Sequence, residues 1–271
     1  MKLFGVLKFY GVSTKAIYPT LLKSVKQNKT DFEIMHLLHR MVIKGLKGKS
    51  LADMQGPTGR EYKRAQDILK LLSDSKQIPF VTTEESLYLD IGASDGLITK
   101  AIGVSLGLDA SRIHAVDVKQ WIGKDNKPSA GVENELQFSF LNLEDKKIIP
   151  YSDDTFNLIT LLQALHHFEN LELMMAEVKR VCKPGGVIII REHNADTTYV
   201  KALTDLEHLF YGILHDGLSL EKFATNYYGE YRSTSEWDAM FFAHGFKCMC
   251  KMSKNNPTKY YYAVYVLEKS V

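Results

Sequence analysis

Between Leu87 and Ile190, short apolar runs alternate with stretches of helical periodicity. This alternation constrains the fold more than any other feature. The runs are Leu87 to Ile91, Ile113 to Val116, Leu136 to Leu141, Phe156 to Leu162 and Val187 to Ile190. Most are apolar along their whole length, as strands covered on both faces must be. The stretches between them carry Leu97, Ile98, Ala101 and Ile102, then Leu173, Met174, Val178 and Val181 behind Asn170, a natural helix cap. Strands separated by helices predict a parallel, doubly wound α/β sheet. Pro184-Gly185-Gly186 reads as a turn that feeds the run Val187 to Ile190. Phe246 to Met252 and Lys259 to Leu267 read as two more strands, joined by a turn around Asn255-Asn256-Pro257. So short a connection implies an antiparallel pair at one edge.

The ends of the chain read differently. Residues 1–80 are expected to form a basic helical extension or lid, and residues 81–271 the main domain. Thr30-Asp31-Phe32-Glu33 has the form of a capping box, followed by an apolar stripe of Ile34, Leu37, Leu38, Met41 and Val42, with Gly45 and Gly48 as the stop. A second helix is expected from Thr58 to Leu72, burying Ala65, Ile68, Leu69 and Leu72, before Pro79. Residues 196–215 read as a further helix. Ser233-Thr234-Ser235-Glu236 is another capping box, ahead of Trp237, Met240 and Phe241, with Gly245 as the stop.

The composition, 45% hydrophobic and 24% charged, is that of an ordinary globular protein. No run of 18 or more apolar residues appears, so no membrane helix is expected, and the chain reads as cytoplasmic. Cys182, Cys248 and Cys250 lack metal-ligand spacing and read as structural thiols, so no metal site is expected. The net charge is only +2, yet residues 1–80 hold 15 Lys and Arg against 6 Asp and Glu. A basic arm on an acidic body fits a polyanion partner such as RNA, and equally a solvated lysine-rich face. The oligomeric state stays open.

The segment Asp90-Ile91-Gly92-Ala93-Ser94-Asp95-Gly96 ends the first strand and opens a helix. Glycines allow the tight turn and the close approach of a ligand. Ligands of such sheets sit beyond the carboxyl ends of the strands. A dinucleotide loop needs G-x-G-x-x-G to cradle a pyrophosphate, but here Gly92 and Gly96 are spaced G-x-x-x-G with Ser94 between them. Asp90 adds negative charge, which disfavours phosphate and favours a cationic ligand such as S-adenosylmethionine. Asp117 ends the second strand, where a carboxylate accepts ribose hydroxyls; capping a helix is its alternative role.

Asp90 to Gly96 resembles the first motif of the class I S-adenosylmethionine-dependent methyltransferases. Asp153 to Phe168 and Glu177 to Gly186 resemble later motifs of that family's type 11 branch. The resemblance covers about residues 86–193. It implies a Rossmann-like seven-stranded sheet of order 3-2-1-4-5-7-6 with strand 7 antiparallel, and S-adenosyl-L-methionine as cofactor. Carried over by position, Asp90, Gly92, Ala93, Ser94 and Gly96 line the methionine moiety, and Asp117 with Val118 holds the ribose. Asn142 and Leu143 sit where the family contacts adenine, and Gln163 faces the cofactor. The connection from Asn142 to Pro150 is longer than the family's usual one.

Methyl transfer from a sulfonium needs alignment of the acceptor, and a base only if the acceptor loses a proton. His166, His167, Glu192 and His193, expected just beyond strands four and five, are the candidates. The Lys-Asp-Lys-Glu set of RNA ribose methyltransferases is not matched, because Gln163 stands at the aspartate position. The basic cluster Lys44, Lys47, Lys49, Arg60, Lys63 and Arg64 points instead to an anionic acceptor, RNA among them. Tyr227, Tyr228 and Tyr231, before Arg232, are suited to stacking on a base or to packing. A small-metabolite acceptor and a non-catalytic scaffold of the same fold are the alternatives.

Overall fold

The computed structural model describes residues 17–30, 33–34, 36–37, 40–41, 60–74, 82–118, 136–145, 148–214, 218–254 and 260–269. The chain divides into two compact units.

One unit comprises Thr58–Asn194, Glu230–Ser253 and Tyr260–Val271 and holds the sheet. Its strands are β1 (Tyr88–Ile91), β2 (Ile113–Asp117), β3 (Gln137–Phe140), β4 (Phe156–Leu162), β5 (Cys182–His193), β6 (Phe246–Lys254) and β7 (Tyr260–Leu267). Their order is β3-β2-β1-β4-β5-β7-β6. The pairs β1–β2, β1–β4, β2–β3 and β4–β5 are parallel, and β7 runs antiparallel to β5. Strand order and direction are those expected.

Side-chain alternation splits the apolar residues between the two faces. On β5, Ile188 and Ile190 join Leu89, Ile159, Trp237, Phe241 and Tyr265 in one core, while Val187 and Ile189 join Tyr88, Leu158, Tyr262 and Val264 in the other. The first core is covered by two helices, Leu171–Val181 and Thr234–Ala243. The second is covered by the helices Arg60–Asp74 and Leu97–Ser105, through Ala65, Ile68, Leu71, Ala101 and Ile102. The four are α2 (Arg60–Asp74), α3 (Leu97–Ser105), α4 (Leu171–Val181) and α7 (Thr234–Ala243) in chain order, α1 (Ile17–Lys26), α5 (Thr198–Leu214) and α6 (Leu220–Asn226) belonging to the other unit. The expected helix starts are present: Asn170 accepts from the Leu173 amide at 3.1 Å, and Ser233 and Glu236 form a complete capping box.

One expectation is corrected. Pro184-Gly185-Gly186 does not end an element but lies inside the twelve-residue β5. The register steps from Phe156↔Cys182 to Leu158↔Val187, so the extra residues bulge out and pairing resumes beyond them. Gly185, at φ 82°, supplies the left-handed backbone that the bulge needs. The same strand continues to His193, so Glu192 and His193 belong to it rather than to a following loop; both pair with β7, opposite Tyr261 and Tyr260.

The other unit comprises Met1–Pro57, Ala195–Gly229 and Lys254–Lys259. Within it the expected Thr30 capping box forms: the Thr30 amide donates to Glu33 Oε2 at 2.8 Å, and the Glu33 amide donates back to Thr30 Oγ1 at 3.3 Å. The stop at Gly45 and Gly48 lies outside the described residues, as does the turn at Asn255-Asn256-Pro257. Tyr227 stacks on Phe223 with ring centroids 4.5 Å apart and approaches His208 at 5.5 Å. Tyr227 is thus half-buried in an aromatic cluster.

Candidate cofactor and methyl-transfer site

The site residues gather at the carboxyl ends of β1, β2, β4 and β5. After β1 the backbone turns through positive φ at Gly92 (74°), Ser94 (53°) and Gly96 (73°). A Cβ on Gly92 would stand 2.6 Å from Ala164 Cβ, so only glycine fits where the β1 loop meets the β4 loop. The amides of Gly92 and Ala93 both donate to the Val116 carbonyl, at 2.8 and 3.2 Å, tying the loop to β2.

Asp117 is the counterpart at the end of β2. Its Oδ2 accepts from the Ser94 amide at 2.8 Å and its Oδ1 from the Val118 amide at 2.7 Å. Each carboxylate oxygen keeps acceptor capacity for a further donor, such as a ribose hydroxyl. Val118, Phe140 and Leu143 are each at least half exposed. Such apolar side chains at the ends of β2 and β3 suit a purine ring. Phe140 was not singled out from the sequence, because nothing in its run marks the strand's last residue as exposed beside the buried Leu141.

Asn142 holds the adjacent turn: its amide donates to the Ile148 carbonyl at 3.1 Å, and its side chain accepts from the Glu144 amide at 3.3 Å. The long connection to Pro150 is pinned from α4. Glu177 Oε2 accepts from the Ile149 amide at 3.0 Å, and the Arg180 guanidinium donates to Glu177, Asp153 and the carbonyls of Ile149 and Tyr151.

Asp90 is enclosed rather than lining an open surface. Its two oxygens accept from Thr99 Oγ1 at 2.5 Å and Thr160 Oγ1 at 2.6 Å, and Tyr88 Oη lies 2.8 Å from the same threonine. Burial raises its pKa to about 6 despite the two hydroxyl donors. It thus ties α3 and β4 to β1 directly beneath the loop. Neither threonine carries a sequence signal that marks it as a partner of Asp90.

At the ends of β4 and β5 the candidate bases pack together. Gln163 adopts φ 62°, unusual for a side chain of its kind, and its amide donates to the Arg191 carbonyl at 2.6 Å. Its Oε1 accepts from Arg191, and its Nε2 lies 3.0 Å from His193 Nε2. Because arginine only donates, the amide orientation is set: Gln163 Nε2 donates and His193 Nε2 accepts. His166 Nδ1 lies 2.7 Å from Glu192 Oε2, both side chains being fully buried, and Glu192 Oε1 accepts from the Leu165 amide at 2.9 Å. Burial holds the His166 pKa well below the usual histidine range, with the charges of His167 and Arg191 acting the same way. Tyr231 is buried against the rings of His166 and His193, at 5.4 and 5.6 Å. It is therefore a packing residue. Among the four candidate bases His167 alone is exposed, its ring 4.1 Å from that of His166.

The strand order, the glycine turn after β1 and the acid after β2 together define the fold of a class I S-adenosylmethionine-dependent methyltransferase. Residues 89–190 match the family described as a methyltransferase domain, of the type 11 branch. The ubiquinone/menaquinone biosynthesis C-methyltransferase UbiE of Hydrogenovibrio crunogenus is 27% identical over 115 residues, 41% of this chain and 44% of that protein. An uncharacterized methyltransferase of Bacillus subtilis, YcgJ, is 29% identical over 188 residues, 65% of this chain and 63% of that protein. The chain thus spans about half the length of the curated relatives it matches. Among solved structures, YcgJ aligns with a TM-score of 0.50 at 17% identity, over 76% of this chain and 99% of that one. A SAM-dependent methyltransferase of Aquifex aeolicus aligns with a TM-score of 0.51 at 16% identity, over 80% and 96%. Both share the fold.

Proposed function

We propose that this chain binds S-adenosylmethionine at the loop Asp90 to Gly96 and transfers its methyl group to a small acceptor. The observation that supports this reading is the bond from the Ser94 amide to Asp117, which joins the glycine turn to the acid that would hold the ribose. Gly92, Ala93, Ser94 and Gly96 would hold the methionine end, Asp117 and Val118 the ribose, and Asn142 and Leu143 the purine, with Phe140 beside them. When bound, the cofactor supplies a methyl group made electrophilic by the sulfonium.

The chain's own contribution is alignment and exclusion of water. Glu192 and His166 are too enclosed to meet an acceptor, and they brace the turn after β4 instead. His193 is also buried, and its Nε2 is engaged by Gln163. A proton role at the acceptor therefore falls to His167, held against His166. That role matters for an acceptor that sheds a proton as it is methylated, such as a carbon acid or a phenol, and the likeness to a quinone-pathway C-methyltransferase favours this class. No similar protein described above is named for an RNA substrate, and the RNA expectation rested on the basic residues of 1–80 with Tyr227, Tyr228 and Tyr231 as base-stacking candidates. Of its basic cluster, Lys44, Lys47 and Lys49 lie outside the described residues, while Lys63 and Arg64 are exposed on α2.

The test is incubation with radiolabelled S-adenosylmethionine and separate pools of phenolic and carbon-acid metabolites and of total RNA. Label in the small-molecule pools, reduced in His167→Ala, is expected. Label in RNA alone would overturn the acceptor assignment.

A further inference from the structure

Two arginines of this fold have opposite surroundings. Arg180 is saturated by Glu177, Asp153 and two backbone carbonyls. Arg191, opposite Leu162 of β4 and Tyr262 of β7, has no such set. One of its nitrogens donates to Gln163 Oε1, and its guanidinium lies 4.4 Å from the Tyr260 ring centroid. Its Nε is enclosed and has no hydrogen-bond partner, and among the described residues no carboxylate pairs with it. Burial opposes its charge, as does Arg64 on α2, while Tyr262 and Tyr260 favour it, Tyr260 also through a side-chain hydrogen bond.

Arginine cannot relieve this by losing its proton. A half-buried cation with an enclosed, unpaired Nε and no counter-ion is destabilising, and Tyr260 offsets only part of that. Arg191 lies in the last residues of β5, opposite the last residue of β4, at the end of the sheet beyond which ligands of such folds bind. The planar fork of a guanidinium matches a carboxylate in two-point geometry. Gln163 joins this cation to the site, since the same amide reaches Arg191 on one side and His193 on the other.

We infer that Arg191 is a binding residue for a carboxylate entering at the β4–β5 end of the site. This rests on the methyltransferase reading above. The carboxylate has two sources, the amino-acid end of the cofactor or the acceptor itself, and one experiment separates them.

Calorimetry on the full chain compares wild type, Arg191→Met and Arg191→Lys, each first shown by its melting curve to be folded. The titrants are S-adenosylhomocysteine, 5′-methylthioadenosine (which lacks the amino-acid carboxylate) and benzoate, the last added to the free chain and to the S-adenosylhomocysteine complex. A loss of tenfold or more in S-adenosylhomocysteine affinity in Arg191→Met, with 5′-methylthioadenosine unchanged, assigns the cofactor's carboxylate. Unchanged S-adenosylhomocysteine affinity, with benzoate bound by wild type and lost in Arg191→Met, assigns the acceptor's. Arg191→Lys is expected to fall between, because it keeps the charge and loses the fork. If neither S-adenosylhomocysteine affinity nor benzoate binding differs between wild type and Arg191→Met, the inference is wrong. Should wild type bind neither nucleoside, the proposed function falls, and benzoate binding to the free chain then decides the role of Arg191.

Discussion

The Asp117 carboxylate accepts the Ser94 amide at 2.8 Å, joining two loops 23 residues apart in the chain. The acid that would hold the ribose is thereby also part of the turn that would hold the methionine end. Asp117→Ala removes both roles. Its affinity for S-adenosylmethionine is expected to fall at least tenfold, about 1.4 kcal/mol or more. Asp117→Asn keeps one acceptor oxygen and should lose less. Calorimetric titration of the two variants checks the order.

Gly92 and Ala164 meet so closely that a single methyl group tests the junction of the β1 and β4 loops. Gly92→Ala is expected to destabilise by about 1–3 kcal/mol, because the backbone is left-handed there and the new Cβ strikes Ala164 Cβ. Ala164→Gly in the same chain relieves the clash but not the backbone strain. Urea unfolding of the two single variants and the double should therefore show partial rescue. Full additivity would place the strain elsewhere.

Much of this arrangement was legible in the chain. The strands β1, β2 and β4 are apolar runs of nearly the expected length, and Asn170 and Ser233 announce their helices by local chemistry alone. The strand order follows from the resemblance of the loop and of the motifs around Gln163 and Pro184. What could not be read needs distance in space. Thr99 and Thr160 lie 9 and 70 residues from Asp90, and nothing local marks them as its partners. The Pro184-Gly185-Gly186 bulge has the composition of a turn, and only the pairing on either side of it shows that the strand continues. Arg191 carries no sequence signal, and its isolation from carboxylates is a property of the packed sheet.

Asp90 makes stability depend on pH. Its folded pKa of about 6 lies above the ordinary 3.8, so the fold favours the protonated form. The stabilisation is fully present below pH 4 and is lost as pH rises through 6. Relative to Asp90→Asn, wild type is expected to lose on the order of 2–3 kcal/mol between pH 4 and 7. Chemical unfolding at a series of pH values measures this, and a constant difference would remove Asp90 as the titrating group.

Glu192 serves two donors, His166 Nδ1 and the Leu165 amide, with no exposure to water. Glu192→Ala leaves both buried donors without an acceptor and is expected to cost about 2–5 kcal/mol. Glu192→Gln retains an acceptor oxygen and should cost less. If His167 is the acceptor-side group, Glu192→Gln also lowers methyl transfer more than it lowers cofactor affinity, which parallel assays of the two quantities would show.

The central claim is that the turn from Asp90 to Gly96, closed by Asp117, is a site for S-adenosylmethionine. Calorimetric titration of the full chain with S-adenosylmethionine and, separately, with NAD tests it most directly. The account predicts saturable binding of S-adenosylmethionine that Asp117→Ala weakens, and no binding of NAD. Tight binding of NAD, or S-adenosylmethionine affinity indifferent to Asp117, would contradict it.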